Sequence, residues 1–325
     1  MKRKATMIGF LLALGVAAFA GGVKAEEDPA PAAAAFAEKG EVTCMKCHDE
    51  NSVLGVLKTP HAVKGDPHSP FAQHACESCH GASPEHVKSR PPKGERRDNA
   101  AVIFAGQFAS PIAKQNETCL GCHSGDLRKA WAASPHESNQ VACVSCHTIH
   151  KSKDPVLVKA QQPEKCFTCH AQQRAESFQF SHHPIREGKV VCSDCHNPHG
   201  TRGVKNLTEL TVNQVCYNCH AEKRGPYLFD HEPVREECTN CHTPHGSNEA
   251  RLLKERPPFL CISCHMNAGG PPANSSGLVS LGQNLTVKAL VNNGAISSHG
   301  AGRACMNCHV QIHGSNSPNG AALIR

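Results

Sequence analysis

Residues 192–200 read Cys-Ser-Asp-Cys-His-Asn-Pro-His-Gly, and the pattern of the first five positions, Cys-x-x-Cys-His, occurs ten times in the chain. The ten motifs use all twenty cysteines, and we number them 1 to 10 in chain order. Two thiols at this spacing can add to the two vinyl groups on one edge of a haem, and the next histidine can bind the iron. The pattern therefore predicts ten covalently bound c-type haems.

Each motif supplies two cysteines for covalent attachment and one histidine as the proximal iron ligand. The predicted haem-attachment residues are Cys44, Cys47, Cys76, Cys79, Cys119, Cys122, Cys143, Cys146, Cys166, Cys169, Cys192, Cys195, Cys216, Cys219, Cys238, Cys241, Cys261, Cys264, Cys305 and Cys308. The predicted proximal ligands are His48, His80, His123, His147, His170, His196, His220, His242, His265 and His309.

Zinc and disulfides are the alternative interpretations of these cysteines. A single Cys-x-x-Cys pair is also typical of half a zinc site or of a redox dithiol. Zinc sites do not require a histidine after every second cysteine, and a disulfide framework would not place its cysteines in uniform pairs. Ten identical motifs therefore favour haem over both alternatives.

Ten of the thirteen histidines outside the motifs follow a repeat that contains two motifs. In the third repeat, a lone histidine, His183, stands between the motifs, and a trailing histidine, His199, follows the second motif. The same order predicts five repeats, at approximately residues 41–90, 115–155, 162–204, 212–250 and 257–318.

One lone and one trailing histidine per repeat give one predicted distal ligand per haem. The lone histidines are His61, His136, His183, His231 and His299, and the trailing histidines are His86, His150, His199, His245 and His313. Three histidines lie outside the pattern and are interpreted as ordinary polar residues: His68, His74 and His182. His182 could substitute for its neighbour His183, but the pattern favours His183 as the ligand.

The trailing histidines are close in sequence to their own motif. His147 and His150 are three residues apart, a span of at most about 10 Å of extended chain. A second ligand to the same iron would have to pass around the porphyrin edge, so we expect the trailing histidine to face the haem of another motif. Ligation by two histidines predicts low-potential haems with no open coordination site, which disfavours catalysis.

The N-terminus has the features of an export signal. Lys2, Arg3 and Lys4 precede an apolar run, and the pattern predicts a signal peptide at residues 1–25, a flexible arm rich in Ala and Pro at 26–40, and a cytochrome domain at 41–325. Loss of the signal leaves thirty basic and twenty-eight acidic side chains. With scattered basic residues and twenty haem propionates, nucleic acid is an unfavourable partner.

The composition predicts a protein whose core is its cofactor. Aromatic residues make up 4% of the chain, and long periodic apolar stretches are missing. We expect a multihaem cytochrome c fold that is mostly coil with short α-helices and almost no β-structure. The five two-haem repeats would form an elongated rod around a row of haems that passes electrons.

Three segments resemble a known family. They are residues 192–200, residues 216–226 (Cys-Tyr-Asn-Cys-His-Ala-Glu-Lys-Arg-Gly-Pro) and residues 308–316 (Cys-His-Val-Gln-Ile-His-Gly-Ser-Asn). They resemble the periplasmic decahaem cytochromes of porin-cytochrome conduits, the MtrA, MtoA and PioA group, and the related DmsE cytochromes. The second repeat departs from the pattern, because Thr-Ile-His-Lys follows His147.

The resemblance implies a periplasmic cytochrome held inside an outer-membrane β-barrel porin. Its implied redox partners are periplasmic or inner-membrane cytochromes and, at the cell surface, another multihaem cytochrome. Extracellular iron is the implied terminal partner, through oxidation of Fe(II) or reduction of Fe(III) minerals, with the direction of electron flow left open.

Two other functions compete with this interpretation. A multihaem reductase needs a haem with an open distal face, often marked by a Cys-x-x-Cys-Lys motif, and the sequence contains no such motif. A periplasmic electron donor to a terminal reductase of the dimethyl sulfoxide type is the second alternative, based on the resemblance to DmsE cytochromes.

Overall fold

The structure is a computed structural model that describes residues 35–265, 291–292, 295–296, 305–307, 309–318, 320 and 323. The predicted signal peptide, most of the predicted arm, and the predicted haem residues Cys308 and His299 lie outside the described residues.

Short helices separated by turns make up the described chain. Its α-helices span at most nine residues. They are Glu41–Cys44, Asn51–Leu54, Pro70–Gln73, Glu77–His80, Pro84–Lys88, Ile112–Leu120, Pro135–Ser138, Cys143–Cys146, Gln162–Phe167, Ala171–Glu176, Cys192–Cys195, Val212–Tyr217, Glu232–Glu236 and Phe259–His265. The 3₁₀ helices are Gly55–Lys58, Pro60–Ala62, Asp126–Arg128, Pro155–Leu157, Val204–Asn206, Ala221–Lys223, Cys238–Asn240, Ala250–Leu252 and Cys305–Asn307.

Two strands of two residues each, Val291–Asn292 and Ala295–Ile296, pair antiparallel, with Val291 opposite Ile296. The prediction of a multihaem cytochrome fold with short helices, much coil and almost no β-structure is confirmed.

The motifs themselves explain why some of these helices are a single turn. Cys143–Cys146 and Cys192–Cys195 each coincide with a Cys-x-x-Cys pair. Residues three apart lie on the same face of a helix, so one turn directs both thiols to one side. The following histidine ends the helix, because its backbone is extended, with ψ of 134° at His147 and 139° at His196.

The apolar core formed by side chains is small. Nine hydrophobic residues are buried in the described chain: Phe71, Ala75, Val102, Trp131, Ala142, Phe167, Val191, Leu207 and Val215. Large hydrophobic side chains are instead often exposed, such as Leu157 at 75% and Phe180 at 79%. Side-chain packing of this extent cannot by itself organise a chain of this length, and this agrees with a cofactor core.

A buried asparagine joins the two motifs within a repeat. Asn213 lies three residues before motif 7, and its side chain accepts a hydrogen bond from the Cys238 amide of motif 8 at 2.7 Å. Its amide group donates to the carbonyl oxygens of Val234 and Arg235. In the second repeat Asn116 does the same, because it accepts from the Cys143 amide at 2.8 Å and donates to a nearby carbonyl. These amides hold the second motif against the helix of the first.

Neighbouring repeats are joined by short backbone bridges. Ser181 in the third repeat and Ser247 in the fourth exchange two hydrogen bonds, of 2.9 and 2.7 Å. Phe229 and Ser315 join the fourth and fifth repeats in the same way, with two bonds of 2.9 Å. In both bridges, a residue two positions before a lone histidine pairs with a residue two positions after the trailing histidine of the following repeat.

The described end of the predicted arm contacts the first repeat. The Phe36 ring stacks on His74 with centroids 3.7 Å apart, and the Ala37 amide donates to the buried Glu77 carboxylate at 2.7 Å. Among the described residues, no helix is long and apolar enough to cross a membrane.

Candidate haem-binding site

The motifs line one continuous cavity of about 4810 Å³. Its walls carry the cysteines and histidines of the motifs together with the lone and trailing histidines of the described chain. Divided among ten cofactors, this volume is about 480 Å³ for each, within the range of about 300–1,000 Å³ typical of ligand sites. The cavity therefore has room for one cofactor at each motif.

Within each repeat, the first cysteines of the two motifs are in contact. The interaction between the neighbouring thiols of Cys76 and Cys44 lowers the pKa of Cys44 to about 7 and raises the pKa of Cys76. The equivalent contacts are Cys119 with Cys143, Cys166 with Cys192, Cys216 with Cys238, and Cys261 with Cys305. The cysteines that the structure describes form no disulfide.

Between repeats, the second cysteines of successive motifs are neighbours. Burial raises the pKa of Cys79, and the nearby Cys122 raises it further. The same two causes raise the pKa of Cys146 beside Cys169, of Cys195 beside Cys219, and of Cys241 beside Cys264. Contacts within repeats and between repeats alternate, so that each motif lies beside the next, from motif 1 to motif 10.

The histidines of the described chain form nine pairs, each between a motif histidine and a lone or trailing histidine. The ring-centroid distances are 6.1 Å for His48–His86, 5.9 Å for His61–His123, 6.2 Å for His80–His150, 6.1 Å for His136–His170, 6.1 Å for His147–His199, 6.4 Å for His183–His220, 6.1 Å for His196–His245, 6.1 Å for His231–His265 and 6.2 Å for His242–His313.

These distances fit two imidazoles on opposite sides of one metal ion. An imidazole nitrogen lies about 2.0–2.1 Å from a bound metal and the ring centroid about 1.1 Å beyond it, so two such rings have centroids about 6.2–6.4 Å apart. Among the described residues, no three of His, Cys, Asp or Glu come together to hold a metal. The residues therefore fit a haem iron between paired histidines, and the cysteine arrangement gives no zinc cluster in this part of the chain.

The pairs have a regular direction along the chain. A lone histidine faces the first motif of the following repeat, as His136 faces His170. A trailing histidine faces the second motif of the preceding repeat, as His199 faces His147. In the first repeat, which has no predecessor, the trailing His86 faces His48. Each trailing histidine thus faces the histidine of a motif other than the one it follows, in agreement with the expectation from its short span.

Eight of the eighteen paired imidazoles are oriented by a hydrogen bond at Nδ1. The Nδ1 partners of His80, His196 and His242 are backbone carbonyl oxygens, at 3.0, 2.9 and 2.8 Å. An Nδ1–H that donates to a carbonyl leaves Nε2 as the nitrogen that can bind a metal. Burial also lowers the pKa of seven of the paired histidines, which favours the neutral, metal-binding form: His80, His123, His150, His199, His231, His245 and His313.

The lone histidines are anchored next to the trailing histidines of the following repeat. His136 Nδ1 is 2.7 Å from the carbonyl oxygen of Pro198, the residue before His199. The equivalent distances are 2.6 Å from His183 to the Pro244 oxygen and 3.1 Å from His231 to the Ile312 oxygen. His136 faces the motif 5 histidine and His199 faces the motif 4 histidine, so this contact joins the histidine pairs of two successive motifs.

The histidines outside the predicted pattern have other contacts. Both ring nitrogens of His182 are engaged, Nδ1 with the Gln179 oxygen at 2.8 Å and Nε2 with Glu187 at 3.4 Å. His74 stacks on Phe36, and His68 makes a backbone hydrogen bond to Asp66. Of the two neighbours His182 and His183, the structure places His183 opposite a motif histidine.

The sequence analysis missed the residues that orient the imidazoles. Most are backbone carbonyls, which no side-chain pattern reveals. Asp154 is different, because its carboxylate lies 2.7 Å from His147 Nδ1. The Asp154-Pro155 dipeptide signals a helix N-cap, which the structure contains, but nothing in the sequence connects this aspartate to His147.

Comparison with known proteins agrees with this arrangement. A family model described as Doubled CXXCH motif matches residues 182–225 and 231–270, and one described as Cytochrome c-type protein NrfB-like matches residues 76–159. The chain is a multihaem c-type cytochrome with covalently bound haem, and proteins of this class are electron carriers.

The particular family follows from a longer match. The chain is 40% identical over 291 residues to the multiheme cytochrome MtrA of Shewanella baltica (strain OS185). The aligned residues cover 89% of this chain and 83% of that protein. It is also 31% identical over 151 residues to the cytochrome c-type protein NrfB of Haemophilus influenzae, which covers 40% of this chain and 65% of that protein. The chain belongs to the MtrA family of multihaem cytochromes.

Proposed function

We propose that this cytochrome holds ten bis-histidine haems in a single row and conducts electrons along it between the periplasm and the cell exterior, inside an outer-membrane β-barrel porin. When bound, each haem supplies reversible one-electron exchange between ferric and ferrous iron. The motif cysteines attach the haems, the motif histidines are the proximal ligands, and the lone and trailing histidines are the distal ligands. His299 completes this set at motif 10.

The observation that carries the proposal is the continuous order of the motifs. Each motif has a cysteine that neighbours a cysteine of the next motif, and nine motif histidines each face a second histidine at about 6 Å. Two nitrogen ligands on each iron leave no coordination site for a substrate, which favours electron transfer over catalysis. A chain of rigid, fully ligated sites suits transfer from neighbour to neighbour.

The location and partners rest on family membership and on the resemblance to porin-cytochrome conduits. We infer export to the periplasm through the signal peptide, insertion in an outer-membrane porin, and exchange with periplasmic or inner-membrane cytochromes. At the outer surface, another multihaem cytochrome or iron itself is the proposed partner. The coupled reaction is oxidation of Fe(II) or reduction of Fe(III) minerals, and the row conducts in both directions.

Reconstitution with a porin tests this function. The holoprotein and its candidate porin are placed in liposomes loaded with a reducible dye, and ferrous iron or dithionite is added outside. We expect the dye to be reduced only when both proteins are present. Porin alone controls for leakage. If correctly inserted complexes transfer no electrons, the proposed conduit function is wrong. Electron donation by the free holoprotein to a periplasmic reductase would then support the alternative function.

A further inference from the structure

The carboxylate of Asp154 gives one of the proposed haem ligands a partner of a different kind. His147, the motif 4 histidine, has its Nδ1 2.7 Å from Asp154 Oδ2. The motif histidines in the same position of the first, third and fourth repeats, His80, His196 and His242, meet neutral backbone carbonyls instead. Among these four repeats, the second is the one that places a full negative charge on this nitrogen.

Other contacts fix the orientation of this carboxylate. The second oxygen of Asp154 accepts from the Thr148 amide at 3.2 Å and from the Val156 amide at 3.4 Å. Asp154 thereby caps the 3₁₀ helix Pro155–Leu157, whose first residue is a proline. Its side chain is 12% exposed, and among the described residues His147 is the only partner within ion-pair distance. The charge is therefore directed at the imidazole and is not neutralised by a lysine or arginine.

A carboxylate that accepts the Nδ1 proton makes an imidazole a stronger electron donor to the metal at Nε2. Hydrogen bonds to an ionised acceptor are roughly twice as strong as those between neutral groups. A more basic ligand and a nearby negative charge both stabilise ferric iron relative to ferrous iron. Both effects lower the reduction potential of the haem that His147 binds.

We propose that Asp154 is a positioning residue that lowers the potential of the motif 4 haem below that of the corresponding haems at motifs 2 and 8. The proposal rests on the proposed function, because it takes His147 and His199 as ligands of one iron. Motif 4 lies between motifs 3 and 5, so every electron that travels the whole row must cross this low-potential step. Asp154 would thus set the energy of an electron while it occupies the motif 4 haem.

In the described chain, two further carboxylates approach Nδ1 of a paired histidine. Glu222 Oε1 lies 3.8 Å from Nδ1 of His220, and the shorter contact is made by Glu176. Glu176 Oε2 lies 3.4 Å from Nδ1 of His245, the histidine opposite His196. The distance is longer than the 2.7 Å at Asp154, so we expect the motif 6 haem to be lowered less than the motif 4 haem.

Spectroelectrochemical titration of the holoprotein tests the proposal. In Asp154→Asn, the amide removes the charge, and we expect one haem in ten to titrate at higher potential. A tenfold change in its ratio of reduced to oxidised haem corresponds to about 59 mV for a one-electron couple. Asp194→Asn is the matched control. Asp194 stands two residues before His196, and its carboxylate accepts a hydrogen bond from the Val191 amide and pairs with Lys159 instead of an imidazole.

The outcomes separate tuning from ligation. A shift in Asp154→Asn that exceeds the shift in Asp194→Asn supports the proposal, and equal shifts or no shift would overturn it. His199→Met tests the ligand pair separately, because methionine ligation raises haem potentials. If His199→Met shifts the potential of one haem and Asp154→Asn shifts none, the proposed effect of Asp154 is wrong, while His199 remains supported as a ligand. If His199→Met changes neither the potentials nor the spectrum, the proposed ligand pair fails.

Discussion

Gly200, directly after the trailing His199, is predicted to tolerate no side chain. Its φ is +98°, and a Cβ built there would meet the Ala130 carbonyl oxygen and lie 2.8 Å from the Ser134 Cβ. These atoms belong to the preceding repeat, which Asn197 also contacts through a hydrogen bond to the Leu127 oxygen. Gly200→Ala would therefore push His199 away from His147 as well as strain the backbone.

Gly94 provides a matched control, because its φ is +96° but no atom lies within 4 Å of a Cβ built there. The positive φ costs an alanine about 1–2 kcal/mol at either position. Overpacking against backbone adds about 1–3 kcal/mol at Gly200 alone. We therefore expect Gly94→Ala to lose about 1–2 kcal/mol of unfolding free energy and Gly200→Ala about 2–5 kcal/mol.

Guanidinium unfolding of the two holoproteins, followed by far-UV circular dichroism, measures this difference, and potentiometric titration reports on the haem between His147 and His199. Gly200→Ala should also change the potential of one haem, which Gly94→Ala should leave unchanged. Equal stability losses with unchanged potentials in both variants would refute the close packing of the 197–200 turn against the preceding repeat.

Two further substitutions test the contacts within and between repeats. Asn213→Ala should lose about 1–3 kcal/mol of unfolding free energy, because it leaves the amide of the half-buried Cys238 without its partner, whereas replacing the exposed Asn218 should cost little. If both substitutions shifted the denaturation midpoint equally, the role of Asn213 in holding motif 8 against the helix of motif 7 would be contradicted. His183→Ala should convert one haem from low spin to high spin in the absorbance spectrum, while His182→Ala should not; the reverse result would exchange the roles of the two neighbours.

The sequence predicts the fold class and the candidate site to different extents. The motif count and the lone and trailing pattern identify the histidines that the structure pairs, because motif spacing and repeat order are local properties. The sequence does not predict which histidine faces which motif. The pairing of His136 with His170 depends on how repeats pack, and the hydrogen bond from His136 to the Pro198 oxygen joins residues 62 positions apart.

Other features escape the sequence because they involve the backbone. A glycine follows three of the trailing histidines, and it has a positive φ at Gly200 and Gly314. Gly246 lies in the same position without a positive φ, and a Cβ there would instead meet the Glu176 carbonyl oxygen. The glycine serves backbone conformation in one repeat and close approach in another, and only tertiary packing decides between them.

The proposed ligand set makes each repeat depend on its neighbours. The first motif of the third repeat faces His136 of the second repeat, and its second motif faces His245 of the fourth. The third repeat in turn gives His183 to the following repeat and His199 to the preceding one. An inner repeat on its own would keep its thioether bonds and proximal histidines but lose both distal ligands. In other repeat proteins, neighbouring units are held by packing at their interfaces. Here coordination bonds would add to the Ser181–Ser247 type of bridge, so that the same histidines that complete the irons also fix the order and spacing of the row.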